Sequence, residues 1–227
     1  MSDVELPLSV SVPSPVAVTA SAPRKRPKPG ERRVQILQAL ATMLEQPGAE
    51  RITTAALAAR LDVSEAALYR HFASKAQMFE GLIEFIEQSV FSLINRIVQL
   101  EPTSEDIKVA TDAELGRRQV GQVVTMLMQF SEKNPGLTRV MVGDALVFEN
   151  ERLQQRMNQF FDKIESALKQ SLRPVVQASG SATPTLETQV RASVVTAFLV
   201  GRLQRFARSN FKRIPSENLE ASLSLML

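Results

Sequence analysis

Residues 51–72 read RITTAALAARLDVSEAALYRHF. The spacing predicts two short helices, 54–61 and 64–71, joined by the tight turn Asp62-Val63, which is a helix-turn-helix. Thr53 or Thr54 can cap the first helix. Ser64 caps the second and places Glu65 in its first turn, where a carboxylate suits the helix dipole. Ala58 is small enough to let the helices approach, and Val63 fills the angle between them. Leu57, Leu61, Leu68 and Phe72 are the expected shared core. The turn position often held by glycine is Asp62, which tolerates the left-handed conformation better than most residues.

Outward from this segment the apolar spacing stays helical. Before it, Val34, Leu37, Leu40, Ala41 and Leu44 are expected on one face of a helix that Pro47-Gly48 stop. After it, Ser74 caps a helix through about Leu100, with Phe79, Leu82, Ile83, Ile86, Val90, Leu93, Ile94 and Ile97 apolar; Pro102 ends it. Further helices are predicted over 105–133, 137–144 and 148–176, with Pro174 a candidate bend in the third. A Ser/Gly/Pro loop at 177–185 leads to a helix over 186–211, and a last short one follows Pro215. No period-two alternation and no internal repeat occurs, so the chain reads as all-α. The expected division is a Pro-rich basic arm (1–30), a helix-turn-helix domain (31–76) and a larger helical domain (77–227). The 186–211 helix presents Val190, Val194, Phe198, Leu203 and Phe206. A helix this apolar predicts a partner across a two-fold axis, in a four-helix bundle. DNA half-sites would then lie about 34–36 Å apart, or a multiple of that.

Composition narrows the function. The 27 basic and 24 acidic residues give a net charge of +3. Residues 1–33 hold six basic residues (Arg24, Lys25, Arg26, Lys28, Arg32, Arg33) and three acidic ones, so the remaining 194 carry 21 of each. The excess therefore sits in an arm beside a neutral body, which suggests a polyanion partner. Six of the twelve prolines fall in the first 30 residues, where disorder is expected. Ala20-Ser21-Ala22 mimics a signal-peptidase site. Asp3 and Glu5 stand where a signal peptide carries Lys or Arg, however, and Pro7, Pro13 and Pro15 break the apolar stretch, so secretion is not expected. The chain has no cysteine and one histidine, His71, which leaves no thiol nucleophile and no multi-histidine zinc site. No GxGxxG or GxxxxGK[ST] occurs, and no run of eighteen apolar residues. No cofactor, metal, catalytic role or membrane association is expected.

The second helix of the motif is expected in the major groove, exposing Ser64, Glu65, Ala67, Tyr69, Arg70 and His71. Thr53, Thr54, Tyr69 and Lys75 are placed for phosphate oxygens, which fix register without reading sequence. The arm, with Arg32 near its end, could track the backbone or enter the minor groove. Blander roles compete: a short helix pair can be mere packing, and a basic arm can merely solubilise. His71 has no nucleophile in sequence reach, so a phosphate contact is a better role than a catalytic base. Met43, Met78, Met126, Met128, Met141 and Met157 read as core rather than as a ligand box. Arg202, Arg205 and Arg208 read as a solvated or interface face before a second nucleic-acid patch.

The stretch LDVSEAALYRHFASKAQMFEGL resembles the DNA-binding end of the TetR-type regulators. LIEFIE, NPGLTR, ALVFENERLQQRMNQFF and RFARSNFKRIP extend the likeness to the family of nucleoid-occlusion factors within that group, over about residues 31–215. The resemblance implies a TetR-like fold and a homodimer on palindromic double-stranded DNA, cytoplasmic and associated with the nucleoid. It further implies a block on assembly of the tubulin-like division protein FtsZ. The FtsZ C-terminal tail would lie along the helices expected at 74–100 and 105–133, where Phe85, Met126, Lys133 and Asn134 fall by position. Leu93 stands where a basic residue is expected, with Arg96 a turn away. The competing roles are plain core for Phe85 and a helix C-cap for Asn134. The alternative is a ligand-responsive TetR-type repressor, for which one Tyr, no Trp and one His are a thin set of pocket residues.

Overall fold

The computed structural model describes residues 30–46, 52–99 and 111–227. The basic arm before Gly30, the stops at Pro47-Gly48 and Pro102, and the expected helix start at 105 lie outside the described residues. Within them the chain is helical, with no strand. Helix α1 spans Glu31–Leu44, α2 Thr54–Arg60, α3 Glu65–Tyr69 and α4 Lys75–Gln99. Helix α5 spans Asp112–Lys133 and α6 Pro135–Met141, followed by a single 3-10 turn, Asp144–Leu146. Helix α7 spans Glu151–Ala178, α8 Pro184–Arg208 and α9 Leu219–Met226.

The helix starts follow local chemistry. The Ser74 hydroxyl accepts from the Gln77 N–H at 3.2 Å at the head of α4. Thr111 and Glu114 form a capping box on α5. The Thr111 N–H donates to the Glu114 carboxylate at 2.7 Å, and this bond holds that carboxyl below its ordinary pKa. Asn150 caps α7 by accepting from the Arg152 N–H at 3.0 Å. Pro174 lies inside α7 without ending it.

Two expected faces are corrected. On α1 the buried stripe is Ile36, Leu40 and Leu44, whereas Val34 is 54% exposed. Apolar residues surround most of this helix, so periodicity could not choose the face; packing against α4 and α6 chooses it. On α8 Leu203 and Phe206 are buried within the protomer, while Val190 and Val194 face outward at 51% and 49% exposed. The methionine expectation holds for Met78, Met126, Met128, Met141 and Met157, all buried; Met43 is half-buried.

Helices α5 and α7, and α7 and α8, pack along most of their length. A Cβ on Gly116 would sit 2.2 Å from the Ser171 carbonyl oxygen, so the α5 and α7 backbones are in near contact. Helix α6 crosses α1, α4, α5 and α8 and joins the first three helices to the rest. A Cβ on Gly136 would lie 2.0 Å from the Ala41 carbonyl oxygen of α1. Among the described residues no helix is long and apolar enough to cross a membrane.

Candidate nucleic-acid interface

Helices α2 and α3 are each set by one side-chain cap. Thr53, not Thr54, caps α2: its hydroxyl accepts from the Ala56 N–H at 3.1 Å. The Ser64 hydroxyl accepts from the Ala67 N–H at 3.3 Å at the head of α3. Asp62 adopts φ +52°, the left-handed turn its residue type tolerates, and the Val63 N–H returns to the Ala58 carbonyl at 3.1 Å. Leu57, Ala58, Leu68 and Phe72 are buried beneath the pair, with Leu61 and Val63 half-buried at the angle.

This packing turns one side of α3 to solvent. Ser64, Glu65, Tyr69, Arg70 and His71 are exposed, and Ala67 is half-buried. Thr54 donates its hydroxyl to the Glu65 carboxylate at 2.6 Å, and Tyr69 reaches Thr54 at 3.5 Å. These three side chains brace α2 against α3. Arg70 and His71 make no side-chain hydrogen bond or ion pair among the described residues. Thr53 is exposed, and capping uses only its acceptor capacity, so its O–H remains available as a donor.

Two basic residues have tasks that local pattern did not show. Arg33 donates to the His71 carbonyl at 2.8 Å and lies 4.2 Å over the Phe72 ring, so it closes the end of the α3 turn rather than belonging to a free arm. Arg32 donates to the Gln35 side chain at 3.0 Å on its own helix. Lys75 forms an ion pair at 2.5 Å with Glu149, whose side chain is 9% exposed. The partners are 74 residues apart, and no local signal could have linked them. Any phosphate that takes Lys75 must compete with this carboxylate.

The four residues placed by resemblance for a protein partner are not equally accessible. Phe85 is half-buried and packs on the core, and Lys133 is exposed. Met126 is 4% exposed and belongs to the core rather than to an open groove. The Asn134 side-chain amide donates to the Phe130 carbonyl of its own helix at 2.8 Å, as a C-cap. Leu93 is half-buried and Arg96 exposed. Of the late arginines, Arg202 turns inward to the Glu217 carbonyl at 2.9 Å and the Phe198 ring, whereas Arg205 and Arg208 are exposed.

Residues 36–82 match the family described as bacterial regulatory proteins, tetR family, and residues 117–227 match the tetracyclin repressor-like C-terminal domain of the SlmA-like type. The chain is 50% identical over 201 residues to the nucleoid occlusion factor SlmA of Vibrio vulnificus (strain YJ016), covering 88% of this chain and 95% of that one. It is 49% identical to the SlmA of Aliivibrio fischeri (strain MJ11), covering 88% and 96%. Among solved structures, the fatty acid degradation regulator FadR from Bacillus halodurans superposes with a TM-score of 0.63 at 16% identity, covering 89% of this chain and 97% of that one. A putative transcriptional regulator from Pseudomonas aeruginosa PAO1 superposes with a TM-score of 0.65 at 14% identity, covering 88% and 90%. At such identities the superpositions speak for the fold alone.

Proposed function

Because the chain belongs to the SlmA nucleoid occlusion factors of the TetR family, we propose that it is a two-fold dimer that reads palindromic DNA with α3 and, bound there, keeps FtsZ from assembling over the nucleoid. The observation that carries this is the extent of the likeness. Half the residues match a nucleoid occlusion factor over nearly its whole length, well beyond the helix-turn-helix.

The exposed α3 supports the DNA half of the reading. Ser64 and Ala67 are small and let the helix sit deep in the major groove, where Arg70 and His71 present donors to base edges or phosphates. Thr53 offers a hydroxyl to the backbone, and Tyr69 does so by giving up its long 3.5 Å bond to Thr54. Glu65 and Thr54 hold the two helices at a fixed angle, so the contacts arrive in one register. Lys75 supplies the cation once Glu149 releases it. Glu149→Gln is therefore expected to strengthen DNA binding roughly two- to fivefold, as a modest ion pair would allow. The gain should vanish when Lys75 is Met. Fluorescence anisotropy on a palindromic duplex reads both, and an equal gain in the Lys75→Met background would show only general charge repulsion.

For FtsZ, the half-buried Phe85 is the best apolar anchor of the four placed residues, with Lys133 exposed nearby in sequence to the α5 end. Met126, buried in the core, offers no surface to the peptide. Phe85→Ala should leave DNA affinity near wild type while binding to an FtsZ C-terminal tail peptide weakens by about 1–3 kcal/mol. The reading fails if the wild-type protein has no affinity for that peptide, with or without DNA.

A further inference from the structure

Among the described residues Arg139, on α6, is the charged residue found in the core, 6% exposed. Its guanidinium donates to the Gln46 carbonyl at 2.8 Å and to the Asn210 side-chain oxygen at 3.1 Å, and lies 4.9 Å from the Phe211 ring centre. Two of its five N–H donors are thus placed. No carboxylate of the described residues pairs with it. Burying a charge is costly unless an opposite charge or a full set of hydrogen bonds offsets it, and no described residue supplies the opposite charge here.

The same guanidinium borders an open cavity of about 310 Å³. Ala145, Val147 and Ala207 form its apolar wall, while Arg208 and Asn210 add donors. Asp144 also lines it and holds Arg208 loosely, at 3.8 Å, with the Arg208 side chain 68% exposed. Among the described lining residues two guanidiniums stand against one carboxylate, a balance that suits a monoanion. The backbone beside the cavity is strained. Asn210 and Phe211 are consecutive left-handed residues at φ +49° and +63°, a conformation disfavoured for an aromatic side chain. That turn is what brings the Asn210 amide and the Phe211 ring onto Arg139, and strain of this kind persists where the surroundings demand it.

We propose that this cavity binds a small carboxylate with a short apolar chain, its carboxylate on the Arg139 fork with Arg208 at the rim and its chain against Ala145, Val147 and Ala207. A planar guanidinium matches a carboxylate edge to edge, and Ala145, Val147 and Ala207 of the same lining are apolar. The described lining residues include neither Phe85 nor any residue of α3, so the butanoate titration is read independently of the DNA and FtsZ readings.

The test uses the full-length chain titrated with sodium butanoate, acetate, phosphate and chloride at matched ionic strength, followed by NMR of the arginine side chains and by thermal shift. Butanoate is expected to bind saturably, more tightly than acetate and phosphate, with no saturable response to chloride. Arg139→Lys removes the fork but endangers the core. Val147→Trp, which blocks the cavity mouth at a 59% exposed position, and Arg208→Gln therefore accompany it. Each of these two surface variants should weaken butanoate tenfold or more without lowering the melting temperature of the unliganded protein. A chloride response equal to that of butanoate, tighter binding of phosphate, or unchanged butanoate affinity in both surface variants would overturn the proposal.

Discussion

Gly136→Ala is expected to cost about 3 kcal/mol of stability, at the upper end of the overpacking range. The added methyl would meet the Ala41 carbonyl oxygen at 2.0 Å, and no rotamer can relieve a backbone-to-backbone clash. Helix α6 must lift off α1, and α6 is, with the direct α1–α4 contact, what joins the first three helices to α4, α5 and α8. The lift also draws Arg139 away from the Gln46 carbonyl at the end of α1. Urea denaturation followed by circular dichroism measures the loss, and DNA affinity should fall with it. A midpoint unchanged within error would mean that α1 and α6 are not pressed together as described.

Val190→Asp with Val194→Asp should convert the dimer to a monomer, raising its dissociation constant more than a hundredfold. Leu186, Val190, Val194 and Ala197 recur at spacings of four and three, which aligns them on one face of α8. That face is turned away from the protomer core: Leu186 is 62% exposed and the two valines about half. Gly201 continues it, and a Cβ there would meet nothing within 4 Å. A second copy related by a two-fold axis would cover this face with the same residues. Two carboxylates desolvated there without a cation cost several kcal/mol. Sedimentation velocity reads the oligomeric state, and affinity for a palindrome should drop with it, because the half-sites are no longer read together. Leu225→Asp, at an 89% exposed position on α9, serves as control. Dimers that persist in the double variant would place the interface elsewhere.

Much of the helix-turn-helix was legible because its determinants are local. Thr53 and Ser64 cap helices that begin one residue later, and Asp62 bends the chain between them. Such interactions act within about four residues, so order in the chain is enough to read them. The same holds for the Ser74 cap on α4 and for Asn134, whose amide caps its own helix. What escaped sequence reading lies between residues far apart in the chain. Lys75 has the position of a phosphate ligand, but only the folded chain brings Glu149 to it. Arg139 has no signature in NPGLTR that would foretell Gln46 on one side and Asn210 on the other. Where apolar residues reach round most of a helix, as in α1 and α8, periodicity offers several possible core faces. Packing then selected Ile36 over Val34, and left Val190 and Val194 outside while taking in Leu203 and Phe206. By itself the sequence determined that the described residues are helical, where most of their helices begin, and which short helix of the turn motif is left exposed, since capping and turn chemistry are local. Tertiary structure alone decided which faces were left for partners and which charges were already paired, since both depend on what packs alongside.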